Sequence, residues 1–402
     1  MHFSITLVAL VAPILVSAAP WRRAASTDLT ILMFADVLEQ LESTFYTQAL
    51  QKFQDSDFQA AGFQSAQIPI QQFTQIESDE ATHSMILQST IKANGGQPIT
   101  SCNFDFSSVL TDVSTMAATA RLVENVGVGA YLGAAHLVSD PVLLTAAASI
   151  LTVEARHQTV LNILGGATAI PQSFDIGLTP SQVLAIAGAF ISGCDLGVSA
   201  NPSLTITNTG ALQPGTTLNF KSDAINGTIS EDTMFCQMLA GGLAFSISLP
   251  FNQCTVPPGI NGPVAIFVTS DDQPLAASVV DQATNSIVAG PTMGFIDIES
   301  DTLSQLVRTG SGTSSASASN STSTTTISPS DASSIIFSAS TASASATPAA
   351  AAASGTLSAN AQGSQGSNAA ASPPPNTATG PSPDGHVVVI GWSNLPSSTT
   401  TA

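Results

Sequence analysis

The Glu-x-x-His spacing occurs twice in this chain, as Glu80 and His83 in "QIESDEATHSMIL" and as Glu154 and His157 in "LTVEARHQTVLNIL". Both copies sit inside apolar patterns of helical period. Residues three apart on a helix share one face, so each pair could grip a metal ion from a single rod. One such pair is weak evidence, because a solvated helix face produces it easily. Only 9% of the residues are charged, however, and there are five histidines. Random placement then gives roughly a tenth of one such pair, so two copies in helical settings need a cause.

A Glu-x-x-His pair leaves a divalent ion short of oxygen donors. Two further stretches supply them. "FADVLEQLESTFYTQAL" carries Glu39 and Tyr46, and "ATARLVENVGVGAYLGA" carries Glu124 and Tyr131. The phenol follows the acid by seven positions, two helical turns, in both, and these two are the only tyrosines. Ala35 and Ala49 flank the first pair along its seam, and Ala120 and Ala134 the second. The chain therefore repeats a unit of a Glu…Tyr helix followed by a Glu-x-x-His helix. One Glu from each of two helices, with a Glu-x-x-His from each of two others, is the donor set of a four-helix bundle that holds two metal ions.

The stretches "LEQLESTFY", "DEATH", "LVENVGVGAY" and "VEARH" resemble the ferritin-like proteins of secreted fungal type. These are akin to late sexual development and stress-response proteins and to plant desiccation-related proteins, and the likeness spans roughly residues 27 to 300. It implies two iron or manganese ions bridged by Glu80 and Glu154, with Glu39 and His83 completing one and Glu124 and His157 the other. Glu42, one turn beyond Glu39, competes for the first-helix position; its counterpart in the repeat is Gly127, so symmetry favours Glu39. Glu42, Tyr46, Glu77 and Tyr131 are candidates to hydrogen-bond the ligand carboxylates. His136, near a helix end, is read as a dipole partner and not as a ligand.

The expected class is α+β and multidomain: a ferritin-like four-helix bundle with a fifth helix, then a small β-sandwich and a disordered Ser/Thr-rich tail. Residues 1–19 read as a secretory signal peptide, and 20–26 as a propeptide with the dibasic pair Arg22-Arg23. The bundle is placed at 27–200, where Pro180 after Thr179 opens the fifth helix. Short alternating runs such as "LAFSISL", "VAIFVTSD" and "LAASVV" place the sandwich at 201–300. Residues 301–383, rich in Ser, Thr, Ala and Pro, form an O-glycosylated linker that cannot bury a core. The last segment, 384–402, contains the run Val387–Trp392 and is read as a strand that returns to dock.

Four cysteines in a chain with a signal peptide favour two disulfides; of three connectivities we expect Cys102 with Cys194 and Cys236 with Cys254. Asn226 and Asn320 lie in N-glycosylation sequons. A net charge of −19 leaves no basic patch for nucleic acid, and no apolar run is long enough to span a membrane. The expected partners are metal ions and cell-wall components, and the expected location is outside the cell. The donor set points to Fe(II) oxidation of the ferroxidase kind, or peroxide consumption of the manganese-catalase kind, and the family resemblance implies a setting in stress or development. The competing reading is a non-catalytic extracellular or cell-wall scaffold.

Overall fold

Four long rods dominate the computed structural model, which describes residues 26–308 and the backbone of Gly380–Pro381 and Val388–Val389. The signal peptide, the dibasic pair, residues 309–379 and Asn320 lie outside the described residues. Helix α1 spans Ser26–Lys52, the short α2 Asp55–Ala60, α3 Gln67–Ala93, α4 Val113–Ala134 and α5 Pro141–Gly165. Helix α1 packs along α3, and α4 along α5, so each repeat folds as a hairpin and the two hairpins face one another. The helix ends follow local chemistry. Asp112 caps α4 by accepting from the Thr115 amide, and Asp140 caps α5 just before Pro141. Gly166 closes α5 in the left-handed region at φ 87°.

The fifth helix, α6, spans Pro180–Ala187 and begins as expected: Thr179 and Gln182 form a reciprocal capping box with proline in the first turn. It stops after eight residues, and "AFISG" continues as a 3-10 turn and a strand. Strand β1 (Asn103–Phe104) pairs with β2 (Ile191–Ser192), and the Cys102–Cys194 disulfide pins the same two segments together. Strand β3 (Thr205–Ile206) pairs with β4 (Phe220–Lys221). The main sheet holds β5 (Phe235–Ala240), β6 (Ile247–Pro250), β7 (Gly262–Thr269) and β8 (Ile287–Ile296) in the order β6-β5-β7-β8, every neighbour antiparallel. The Cys236–Cys254 disulfide ties β5 to the segment before β7.

The sheet does not stand apart from the helices. Every residue of β7 is buried, so both of its faces need cover. Leu239, Ala265, Phe267 and Met293 share one apolar core with Val183, Leu184 and Ala187 of α6 and with the bundle interior. Met238, Val264, Ile266 and Ile296 face the other way, onto Leu218, Val256 and Ile260. The sandwich is thus one four-stranded sheet with helices beneath it and a layer of short strands and loops above. The run "LAASVV" is not a strand: Ala276 makes one isolated bridge to Phe245, and the chain then turns at Ser278–Asp281.

Residues 301–308 correct the sequence reading, which assigned them to the disordered linker. Asp301 caps α7 (Thr302–Val307), and the Arg308 guanidinium donates to the carbonyls of Leu164 and Ala61 while lying 3.9 Å from the Phe63 ring centroid. Those contacts hold the segment onto the ends of the bundle helices. Arg121 of α4 adds a second clasp: buried over the Phe295 ring, it pairs with Asp297 at 2.6 Å and donates to Asn162. In the chain's second unit, β9 (Gly380–Pro381) pairs antiparallel with β10 (Val388–Val389), two residues of the run read as a docking strand; the rest of that run and of 384–402 lies outside the described residues.

Candidate metal centre

The repeat carries its acids and imidazoles to the middle of the four long helices. Glu39 on α1, Glu80 and His83 on α3 and Glu154 on α5 form one group; Glu80, Glu124 on α4, Glu154 and His157 form a second. Within each group one ligand-capable atom per residue lies within 4.8 Å of all the others. Glu80 and Glu154 belong to both groups, and all four glutamates are wholly buried. His83 Nδ1 lies 3.2 Å from Glu39, 3.1 Å from Glu80 and 3.3 Å from Glu154. His157 Nδ1 lies 2.8 Å from Glu80 and 3.2 Å from Glu124.

The two phenols reach across the repeat. Tyr46 of α1 donates to Glu124 of α4 at 2.6 Å, and Tyr131 of α4 donates to Glu39 of α1. Each thus bonds the acid of the other hairpin and not the one on its own seam. The other candidates separate. Glu77 is turned toward α1, where it accepts from Thr47. Glu42 is buried but belongs to neither group; a Cβ on Gly127 would stand 2.9 Å from Glu42 Oε1 and 3.1 Å from Glu154 Oε2, so the glycine makes its room. His136 is exposed in the 3-10 turn after α4.

One residue was missed. His157 Nε2 lies 3.2 Å from Asp79 Oδ2, on the neighbouring helix. The acid directly precedes Glu80, so it points one helical step away from the ligand face and toward the opposite hairpin. Its counterpart before Glu154 is Val153. Asp79, Arg156 and both histidines line a surface depression of about 340 Å³ between α3 and α5, which brings solvent to the outer edge of each imidazole.

The electrostatics are those of carboxylates and imidazoles crowded together in a buried space. Burial, with Glu124 nearby, pushes the Glu80 carboxyl up to about 8. Burial and then Glu80 and Glu39 hold Glu154 well above the usual carboxylate range; Glu42 is held up by burial and then by Glu154. Burial alone would lower His83, but Glu154, Glu39 and Glu80 outweigh it and push the imidazole up to about 12; Glu124 and Glu80 push His157 to about 11 against the same opposition. Even so, Glu154 Oε2 is buried with neither a hydrogen bond nor an ion pair, and Glu154 Oε1 and Glu80 Oε1 have only the imidazoles of His83 and His157 beside them, at 3.3 Å and 2.8 Å. Native interiors rarely leave such an atom orphaned, and bound cations would supply the missing partner. Oxygen-rich sets with one imidazole each suit iron or manganese. The residues fit a two-metal centre on this ground.

Comparison with known families agrees on the fold: residues 27–167 match the family described as Ferritin-like domain. No curated protein matches the chain.

Proposed function

With residues 27–167 a ferritin-like domain, we propose that this chain binds two iron or manganese ions and uses them for redox chemistry with oxygen or peroxide. One observation carries the reading: two groups of ligand atoms share the wholly buried Glu80 and Glu154, and Glu154 Oε2 has no hydrogen-bond or ion-pair partner. Glu39 and His83 would complete one ion, and Glu124 and His157 the other. When bound, such a pair supplies two one-electron redox equivalents side by side. Around it the protein's own groups have separate tasks. Tyr46 and Tyr131 fix the rotamers of Glu124 and Glu39 through their hydrogen bonds. Asp79 accepts from His157 Nε2, which leaves Nδ1 free to face the carboxylates. The apolar helix seams keep bulk water from the four glutamates, and the surface depression reaches only the outer edges of the imidazoles. Extracellular action, in stress or development and beside cell-wall material, is part of the proposal; the signal-peptide reading and two disulfides favour it.

Elemental analysis of the purified full chain tests the binding claim. Two ions per chain are expected, with a loss of both in Glu154→Gln because that carboxylate belongs to each group. Fe(II) oxidation and peroxide disproportionation, measured on wild type beside Glu80→Ala, test turnover. Equal rates in the two proteins would leave the ions a structural role.

A further inference from the structure

The two halves of the repeat differ beside their tyrosines, and the difference leaves a hole. Around Tyr46 the space is filled: Phe45 packs edge-on at 5.3 Å between ring centroids and Phe73 stacks at 6.0 Å, all three fully buried. Aligning the halves on their Tyr and Glu-x-x-His residues puts Ala130 where Phe45 stands and Ala147 where Phe73 stands. Both alanines line a cavity against Tyr131, closed further by Ala35, Leu87 and Ala134. It holds about 40 Å³ of room for the centres of water-sized spheres. A water molecule needs about 10–15 Å³ by that measure, so the cavity is large enough for small guests.

Its chemistry decides which guest. The lining side chains, Phe34 among them, are apolar apart from the Tyr131 hydroxyl, which is already given to Glu39. Water inside would find too few of the two to four polar partners it needs, and cavities of this kind stay dry and take up apolar molecules. The position is also specific. Ala35 lies one turn before Glu39, Leu87 one turn after His83 and Ala147 two turns before Glu154, so the cavity stands end-on to one metal position. Part-exposed Ala35, Ala135, Val138 and Ala147 form its rim. The depression beside His83 and His157, by contrast, is lined by Asp79, Arg156, Gln72 and Gln75 and suits ions and polar species.

We propose that the cavity formed where Ala130 and Ala147 replace Phe45 and Phe73 is a binding site for a small apolar molecule of the dioxygen class, held next to Tyr131 and Glu39. The binding claim concerns the protein alone; delivery of oxygen to the ions rests on the function proposed above.

Xenon is the probe, used on the metal-free full chain by crystal pressurisation and by ¹²⁹Xe NMR. One saturable site against Tyr131 is expected in the wild type, and its loss in Ala147→Phe, which restores the ring found in the other half. Ala147→Leu serves if the larger ring prevents folding, and circular dichroism reports the fold of each. A wild type with no xenon in this cavity, or with ordered water there, overturns the proposal. For delivery, Fe(II) oxidation is followed against dissolved oxygen at equal metal content. Ala147→Phe is expected to raise the oxygen concentration for half-maximal rate at least threefold; no shift overturns delivery. A wild type that binds xenon here but neither oxidises Fe(II) nor disproportionates peroxide refutes the redox function and leaves the binding site standing.

Discussion

Loading the centre with metal should expel protons, and the number follows from the geometry. Metal-free at pH 7, both imidazoles are protonated, since the surrounding carboxylates hold them up at about 12 and about 11. The Glu80 carboxyl, at about 8, is roughly nine-tenths protonated at that pH. Ligation demands neutral imidazoles and ionised carboxylates. Each histidine therefore gives up one proton and Glu80 nearly another. Glu154, raised in the same direction, adds to the release. We expect about three to four protons per two ions, and an apparent binding constant that climbs about a thousandfold or more per pH unit near neutrality. Anaerobic Mn(II) titration in weakly buffered solution, with the pH held constant by added base, counts them directly. Calorimetry in two buffers of different ionisation enthalpy gives an independent count. Release of less than about one proton per pair of ions would refute the crowded-anion picture of the site.

Three further outcomes follow. The metal-free protein should lose stability as pH rises: Glu80 and both histidines have folded values above their ordinary ones, so their contribution is complete below about 4.5 and 6.5 respectively. It fades toward about 8 for Glu80 and toward 11 and 12 for the imidazoles, by about 1.4 kcal/mol per pH unit for each extra proton held, and melts that are level or rising between pH 5 and 8.5 would contradict this. Asp79→Asn should weaken metal binding by about 10–100-fold in a chelator competition, whereas Glu77→Gln, whose carboxylate serves Thr47, should leave it unchanged. Gly133→Ala should cost about 3 kcal/mol or more in denaturant unfolding, because its Cβ would lie 2.0 Å from the Leu178 carbonyl oxygen and backbone cannot give way as a side chain can.

The helical part of the fold was legible because period and spacing are local properties. Glu-x-x-His and Glu…Tyr each report a helix face, and Thr179-Pro180 reports a helix start, before any tertiary contact is known. The six residues that the structure brings together stood out by their spacing within one rod, except that Glu39 was preferred to Glu42 only by the symmetry of the repeat. What the sequence withheld depends on contacts between rods. Asp79 looks like an ordinary surface acid until the opposite hairpin brings His157 to it. The phenols share a seam with their own glutamates, and only the packing of α1 against α4 shows that they bond across. Residues 301–308 read as linker because their composition is polar; their order comes from Arg308 reaching carbonyls more than 140 residues away in sequence. The sandwich was underdetermined likewise, since an all-buried β7 needs two covering layers but does not say that one will be helical.

The exchanged phenol–carboxylate bonds bear on how such a molecule could have arisen. A lone hairpin of this kind would own a glutamate, a tyrosine and a Glu-x-x-His pair, yet its tyrosine would have no acid to bond and its acid no hydroxyl. Only by clasping a second copy of itself could it satisfy both. Joining two such copies on one polypeptide removes the need for a partner, and it also frees each copy to diverge. In this chain the two halves do differ, with Gly127 opposite Glu42 and alanines opposite phenylalanines.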